Sequence, residues 1–107
     1  MTKFKTQLKS INIQPEQYLK IAKNSAGKTG LDPAKLEFSD KTTKKLVYNG
    51  VHFGAVGYKD FIIYSLLNDP KRDIYRKRYH DSHTKIAGEW KQQKERSANW
   101  LSLNVNW

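Results

Sequence analysis

Residues 44–54, "KKLVYNGVHFG", restrict the fold more than any other stretch of the chain. Asn49-Gly50 tolerates the positive φ angles of a type I′ turn, whose twist suits a two-residue hairpin, and both flanks are rich in β-formers. With Asn49 and Gly50 in the loop, Tyr48 faces Val51, Val47 faces His52 and Leu46 faces Phe53. That register puts Leu46, Tyr48, Val51 and Phe53 on one apolar side and turns Val47 and His52 the other way.

Helical signals surround the hairpin. Pro15 and Glu16 open a helix, because proline is tolerated in a first turn and a carboxylate suits the positive end of the dipole. Tyr18, Leu19, Ala22 and Ala26 give it one apolar face, and Gly27 and Gly30 mark its end. "GLDP" reads as a turn and "AKLEFSD" as a short strand, with Leu36 and Phe38 alternating with charged neighbours. "FIIYSLL" fits a buried strand or a short buried helix, and we favour the helix. Asp69 is a suitable N-cap before Pro70 at N1, starting a helix that carries "KRDIYRKRYHDSHTK" and closes at Gly88. On it Tyr75, Tyr79, Ser82 and Ile86 form a stripe expected to face the core, with Ile74 adjacent. Arg72, Arg76, His80 and His83 form another, expected to face outward.

Beyond the polar connector "KQQKERS", Ser97 is a candidate cap, and Trp100, Leu101, Leu103, Val105 and Trp107 supply an aromatic and apolar segment to pack on the sheet. Residues 1–10, with Lys3, Lys5 and Lys9, hold too few apolar groups to offset ordering entropy and are expected to form a flexible basic arm. The predicted fold class is α+β: a small single domain over 11–107, with an N-terminal helix, a central β-hairpin, a basic helix and an aromatic C-terminal segment.

Charge narrows the partners. Twenty Lys and Arg against ten Asp and Glu give a net charge of +10, which favours nucleic acid or an acidic protein surface. Cations and anions number ten and four in residues 1–49, one and two in 50–70, and nine and four in 71–96, so positive charge brackets a nearly neutral middle. The absence of cysteine rules out disulfides and thiolate zinc sites, leaving the fold to packing alone. No apolar run reaches the roughly 20 residues that span a bilayer, and "MTKFKTQLKS" has no secretory core. No membrane partner and no signal-peptide secretion are therefore expected.

The chemistry for catalysis is sparse. His80 and His83, with Asp81 nearby, lack a third ligand at a recognised spacing, and neither a metal site nor a cofactor is expected. A small nuclease-like enzyme would pair one of these histidines with Asp60, Asp69 or Asp73 as acid or magnesium ligand, yet nothing ties their spacing to a reaction. "NSAGKTG" fails as a phosphate loop, since Ala22 stands where the motif needs glycine. No catalytic residue is assigned. Arg72, Arg76, Lys77, Arg78 and Lys85 are the expected phosphate contacts of a non-enzymatic nucleic-acid-binding protein, DNA being favoured over RNA. A virion structural role against acidic capsid surfaces is the alternative.

The elements "VHFGAVGYKDFIIY", "DPKRDIYRKRYH" and "WLSLNVNW" resemble a family of small, basic, uncharacterised proteins encoded by large DNA viruses, with similar proteins in some phages. The shared positions are Phe53, Gly54, Gly57, Tyr58, Asp60, Arg72, Tyr75, Arg78, Leu101, Ser102 and Trp107, within residues 44–107. Where that family has Arg-His in succession, this chain inserts Tyr79 between Arg78 and His80. The resemblance implies a host-cell or virion setting, with genome packaging, capsid cementing or host-factor binding as the roles to expect.

Overall fold

The hairpin forms in the expected register. In the computed structural model, which describes residues 3–107, β1 (Leu36–Phe38), β2 (Lys44–Tyr48) and β3 (Val51–Ala55) make an antiparallel sheet in the order β1-β2-β3. Tyr48 pairs with Val51, Val47 with His52 and Leu46 with Phe53. Asn49 and Gly50 take φ values of 47° and 86°, the left-handed pair that a type I′ turn requires. On the other edge of β2, Leu36 pairs with Tyr48 and Phe38 with Leu46.

The described residues also form six helices, α1 (Lys3–Ser10), α2 (Pro15–Lys28), α3 (Phe61–Leu66), α4 (Arg72–His83), α5 (Trp90–Gln93) and α6 (Ala98–Leu101). The last continues as a wider π-type turn over Ser102–Asn106. This is an α+β domain, with a radius of gyration of 13.1 Å, close to the roughly 13 Å of a folded domain of about 100 residues. Each main helix starts where its chemistry directs. Pro15 lies in the first turn of α2, and the Gln17 side chain accepts from the Gln14 main-chain N–H at 3.2 Å. Asp60 caps α3 by accepting from the Ile63 N–H at 2.9 Å. Asn68, at φ 55°, ends that helix in the left-handed region, and the Asp69 N–H returns to the Tyr64 carbonyl.

One core joins Leu36, Leu46, Tyr48 and Phe53 of the sheet to Tyr18, Ala22 and Ala26 of α2, Ile62 and Ile63 of α3, and Leu101 and Val105 of the C-terminal segment. Each large side chain buried there contributes on the order of 1.5–3 kcal/mol.

Three expectations change. Residues 3–10 are a docked helix rather than a flexible arm: Phe4 and Leu8, one turn apart, are fully buried, and the Phe4 ring meets Tyr18 edge-on at 4.9 Å. Met1 and Thr2 lie outside the described residues. The basic helix begins at Arg72, two residues after Pro70, because Asp69 accepts from the Lys71 N–H and closes a turn ahead of it. It ends at His83, well short of Gly88, where the Thr84 hydroxyl and N–H both bind the His80 carbonyl. Its predicted core stripe is only half right. Tyr75 and Tyr79 turn inward, whereas Ile74, Ser82 and Ile86 are exposed.

Candidate nucleic-acid interface

At 100° per residue, Arg72, Tyr75, Arg76, Tyr79 and His83 share an arc of about 100° on α4, and Ile74, Lys77, Arg78 and Asp81 occupy the opposite side. The first arc faces the body of the protein. Tyr75 lies against Tyr64, ring centroids 4.6 Å apart. Tyr79 stacks on Trp107 at 4.2 Å and 7° and on His83 at 3.6 Å and 13°. Two rings at such distances cannot share one face, so Tyr79 is sandwiched between them. Its hydroxyl meets Ser102 Oγ at 3.1 Å, and burial raises its pKa above the usual phenol value. These tyrosines anchor the helix; they are not open platforms for bases.

The five predicted phosphate contacts therefore separate. Arg76 belongs to the inward arc: its Nε donates to the Trp107 main-chain oxygen at 2.8 Å and its guanidinium sits 4.7 Å over the Phe61 ring. Lys77 is exposed and pairs with Asp81 one turn on, at 2.6 Å. That hydrogen bond holds the Asp81 carboxyl below the usual range. Arg72, Arg78 and Lys85 are exposed and form no side-chain ion pair among the described residues. Arg72 and Lys85 mark the two ends of the helix, and Lys77 and Arg78 its outer face.

A second basic surface was not foreseen. Docking of α1 beside α2 creates a groove of about 820 Å³ lined by Lys5, Lys9, Lys20 and Lys23, with Phe38 in its wall and Glu16 as its one carboxylate. The Lys5 ammonium lies 4.9 Å over the Phe38 ring. The spacing carried a usable signal, since Lys5 and Lys9 are four apart and Lys20 and Lys23 three apart, each pair on one helix flank. Lys20 and Lys23 lie on the flank of α2 opposite Ser25 and Lys28, which face α4. The groove and the cations of α4 thus form two surfaces, not one face.

The interior holds an ionic cluster. Lys45 and Asp60, 3% and 1% exposed, pair at 3.0 Å. The ammonium also donates to the Tyr58 carbonyl at 2.6 Å, and the carboxylate accepts from the Tyr18 hydroxyl at 2.5 Å. Asn106 Nδ2 donates to the Tyr18 oxygen at 2.7 Å. Burial first, and then the Asp60 charge, push the Tyr18 pKa well above its usual value. Gly54 makes room for this arrangement. At φ 80° it lies so close to Lys45 and Asn106 that an added Cβ would stand 3.2 Å from Lys45 Cβ and 3.3 Å from Asn106 Oδ1.

Asp60 is consumed in the cluster, His52 Nδ1 is 2.7 Å from the Ser39 hydroxyl, and His83 is stacked on Tyr79. Among the described residues, no three His, Asp or Glu side chains converge on a metal position, and no helix is long and apolar enough to cross a membrane. Compared with protein-family models, curated proteins and solved structures, the chain matches none.

Proposed function

We propose that the protein is a non-enzymatic binder of nucleic acid, DNA in the first instance, gripping the phosphate backbone without reading sequence. Arg72, Lys77, Arg78 and Lys85 of the α4 region are its phosphate contacts, with the lysine groove between α1 and α2 as a second electrostatic surface. The observation that carries this reading is where charge is neutralised. Only two side-chain ion pairs occur among the described residues, and the buried one is self-cancelling, so the whole excess of +10 lies on the surface. Surface cations attract phosphates and release the counterions condensed on them. On the likeness to small basic proteins of large DNA viruses, the partner would be a viral genome.

Anisotropy of labelled duplexes of unrelated sequence tests this between 50 and 200 mM salt. Affinity is expected to fall steeply with salt and to be nearly equal across sequences. The Arg72→Ala/Arg78→Ala/Lys85→Ala variant is expected to reduce the log–log salt slope by about 2–3, roughly one per lost phosphate contact. No binding at low salt overturns the function. An unchanged slope in the variant removes α4 from the interface.

A further inference from the structure

The two basic surfaces lie at opposite sides of the fold. Phe38, in the wall of the lysine groove, belongs to β1 at one edge of the sheet. Gly54 and Ala55 of β3, the other edge, share a hollow with Tyr79 and His83 of α4. Helix α2 gives the same answer independently. At 100° per residue, its groove residues Leu19, Lys20 and Lys23 and its α4-facing residues Ile21, Ser25 and Lys28 fall on flanks roughly 160° apart, with the buried Tyr18, Ala22 and Ala26 between them.

Each surface carries its own charge. Four lysines against Glu16 leave the groove an excess of three. Lys9 and Lys20 are exposed, and with the half-buried Lys23 they form no side-chain ion pair among the described residues. On the α4 side the same holds for Arg72, Arg78 and Lys85. One duplex cannot serve both. The body between them measures 37 × 30 × 24 Å, and DNA with a persistence length of about 50 nm wraps so small an object only at a large bending cost. Two duplexes can. Even the shortest axis of 24 Å exceeds two Debye lengths of about 8 Å at physiological salt, so the phosphates of one duplex are largely screened from those of the other.

We propose that the protein bridges two nucleic-acid duplexes, the backbone of one held by α4 and that of the second by the lysine groove. The proposal rests on the nucleic-acid reading above and adds valency to it. A single copy then pairs two segments of DNA instead of coating one.

The test mixes the full chain at low salt with an excess of two duplexes of about 12 base pairs, each about 40 Å long at 3.4 Å per base pair, one biotinylated and one fluorescent. Recovery of the fluorophore on streptavidin beads reads bridging, and sedimentation equilibrium gives the composition of the complex. One protein with two duplexes is the expected complex. Lys20→Ala/Lys23→Ala and Arg72→Ala/Arg78→Ala/Lys85→Ala are each expected to lower it to one duplex per protein and to abolish recovery. Glu16→Gln is expected to raise recovery by about two- to fivefold, a gain that misfolding cannot imitate. One duplex per protein in the parent, or two duplexes held by two proteins, overturns bridging and leaves the proposed function standing. Recovery that survives in Lys20→Ala/Lys23→Ala overturns the groove as the second site. No binding of either duplex overturns the nucleic-acid reading and bridging with it; poly-glutamate that binds the parent and not Lys20→Ala/Lys23→Ala then assigns the groove to an acidic protein.

Discussion

Replacing Asp60 by alanine strips four donors of one acceptor group: the Lys45 ammonium, the Tyr18 hydroxyl, Asn106 Nδ2 and the Ile63 N–H that begins α3. The ammonium would keep only the Tyr58 carbonyl and the Phe4 ring, 5.4 Å from its nitrogen. Removing one member of a buried ion pair costs about 3–5 kcal/mol, and loss of an N-cap adds about 1 kcal/mol. Against a total stability on the order of 5–15 kcal/mol for a domain of this size, Asp60→Ala is expected to lose about 5 kcal/mol. That is about a third or more of the folding free energy. The reverse deletion is milder. Lys45→Met leaves the carboxylate with the Tyr18, Asn106 and Ile63 donors, and is expected to cost about 2 kcal/mol. Urea unfolding followed by tryptophan fluorescence and circular dichroism measures both. In a cycle with Asp60→Asn, which can retain the cap, the two changes should couple by about 2 kcal/mol. An Asp60→Ala protein within about 1 kcal/mol of the parent, or a strictly additive cycle, refutes the reasoning.

Phe4→Ala is expected to cost about 3–4 kcal/mol, the usual loss for a buried ring, while the exposed Lys9→Ala stays within about 0.5 kcal/mol; equal urea midpoints for the two would return residues 3–10 to the status of a loose arm. Gly54→Ala combines left-handed backbone strain with contacts at 3.2 and 3.3 Å and should lose about 2 kcal/mol or more, whereas Gly57→Ala, at φ 102° with nothing within 4 Å, carries strain alone, about 1 kcal/mol. The same denaturation series ranks them. The Tyr18 pKa is raised in the folded protein, so its neutral form contributes stability that is complete below the unfolded value of about 10 and is lost as pH climbs through the folded value. Tyr18→Phe is therefore expected to be less stable near neutrality but to lose less between pH 9 and 12; identical alkaline losses in variant and parent would count against that account.

What was legible in the sequence was local. Asn49-Gly50 sets the hairpin and its register through backbone conformations that few residues adopt, and Pro15 opens its helix from the first turn. The α4 faces were misjudged for a geometric reason. Tyr75 and Tyr79 of one stripe and Arg76 and His83 of the other are neighbours on the helix, and all four fit within the inward arc once Phe61, Tyr64 and Trp107 are in place to receive them. Docking of α1 was invisible because an eight-residue helix is marginal alone; the surface that stabilises it includes Tyr18 and Phe38, both distant in sequence. Burial of Lys45 had no local signal either. Its alternation in β2 sends it away from the core side, and its partner Asp60 lies fifteen residues on.

Helix α4 has no buried residue. It is fastened by ring faces and by the side-chain hydrogen bonds of Arg76 to Trp107, Tyr79 to Ser102 and Asn99 to the His83 carbonyl, so detaching it would open a few contacts and leave the joint core of sheet, α2 and α3 closed. Such a segment behaves as a low-energy foldon: its amides are expected to exchange with deuterium through partial opening, while those of α2 wait for global unfolding. The stability of the domain and the posture of its basic helix are then separate variables.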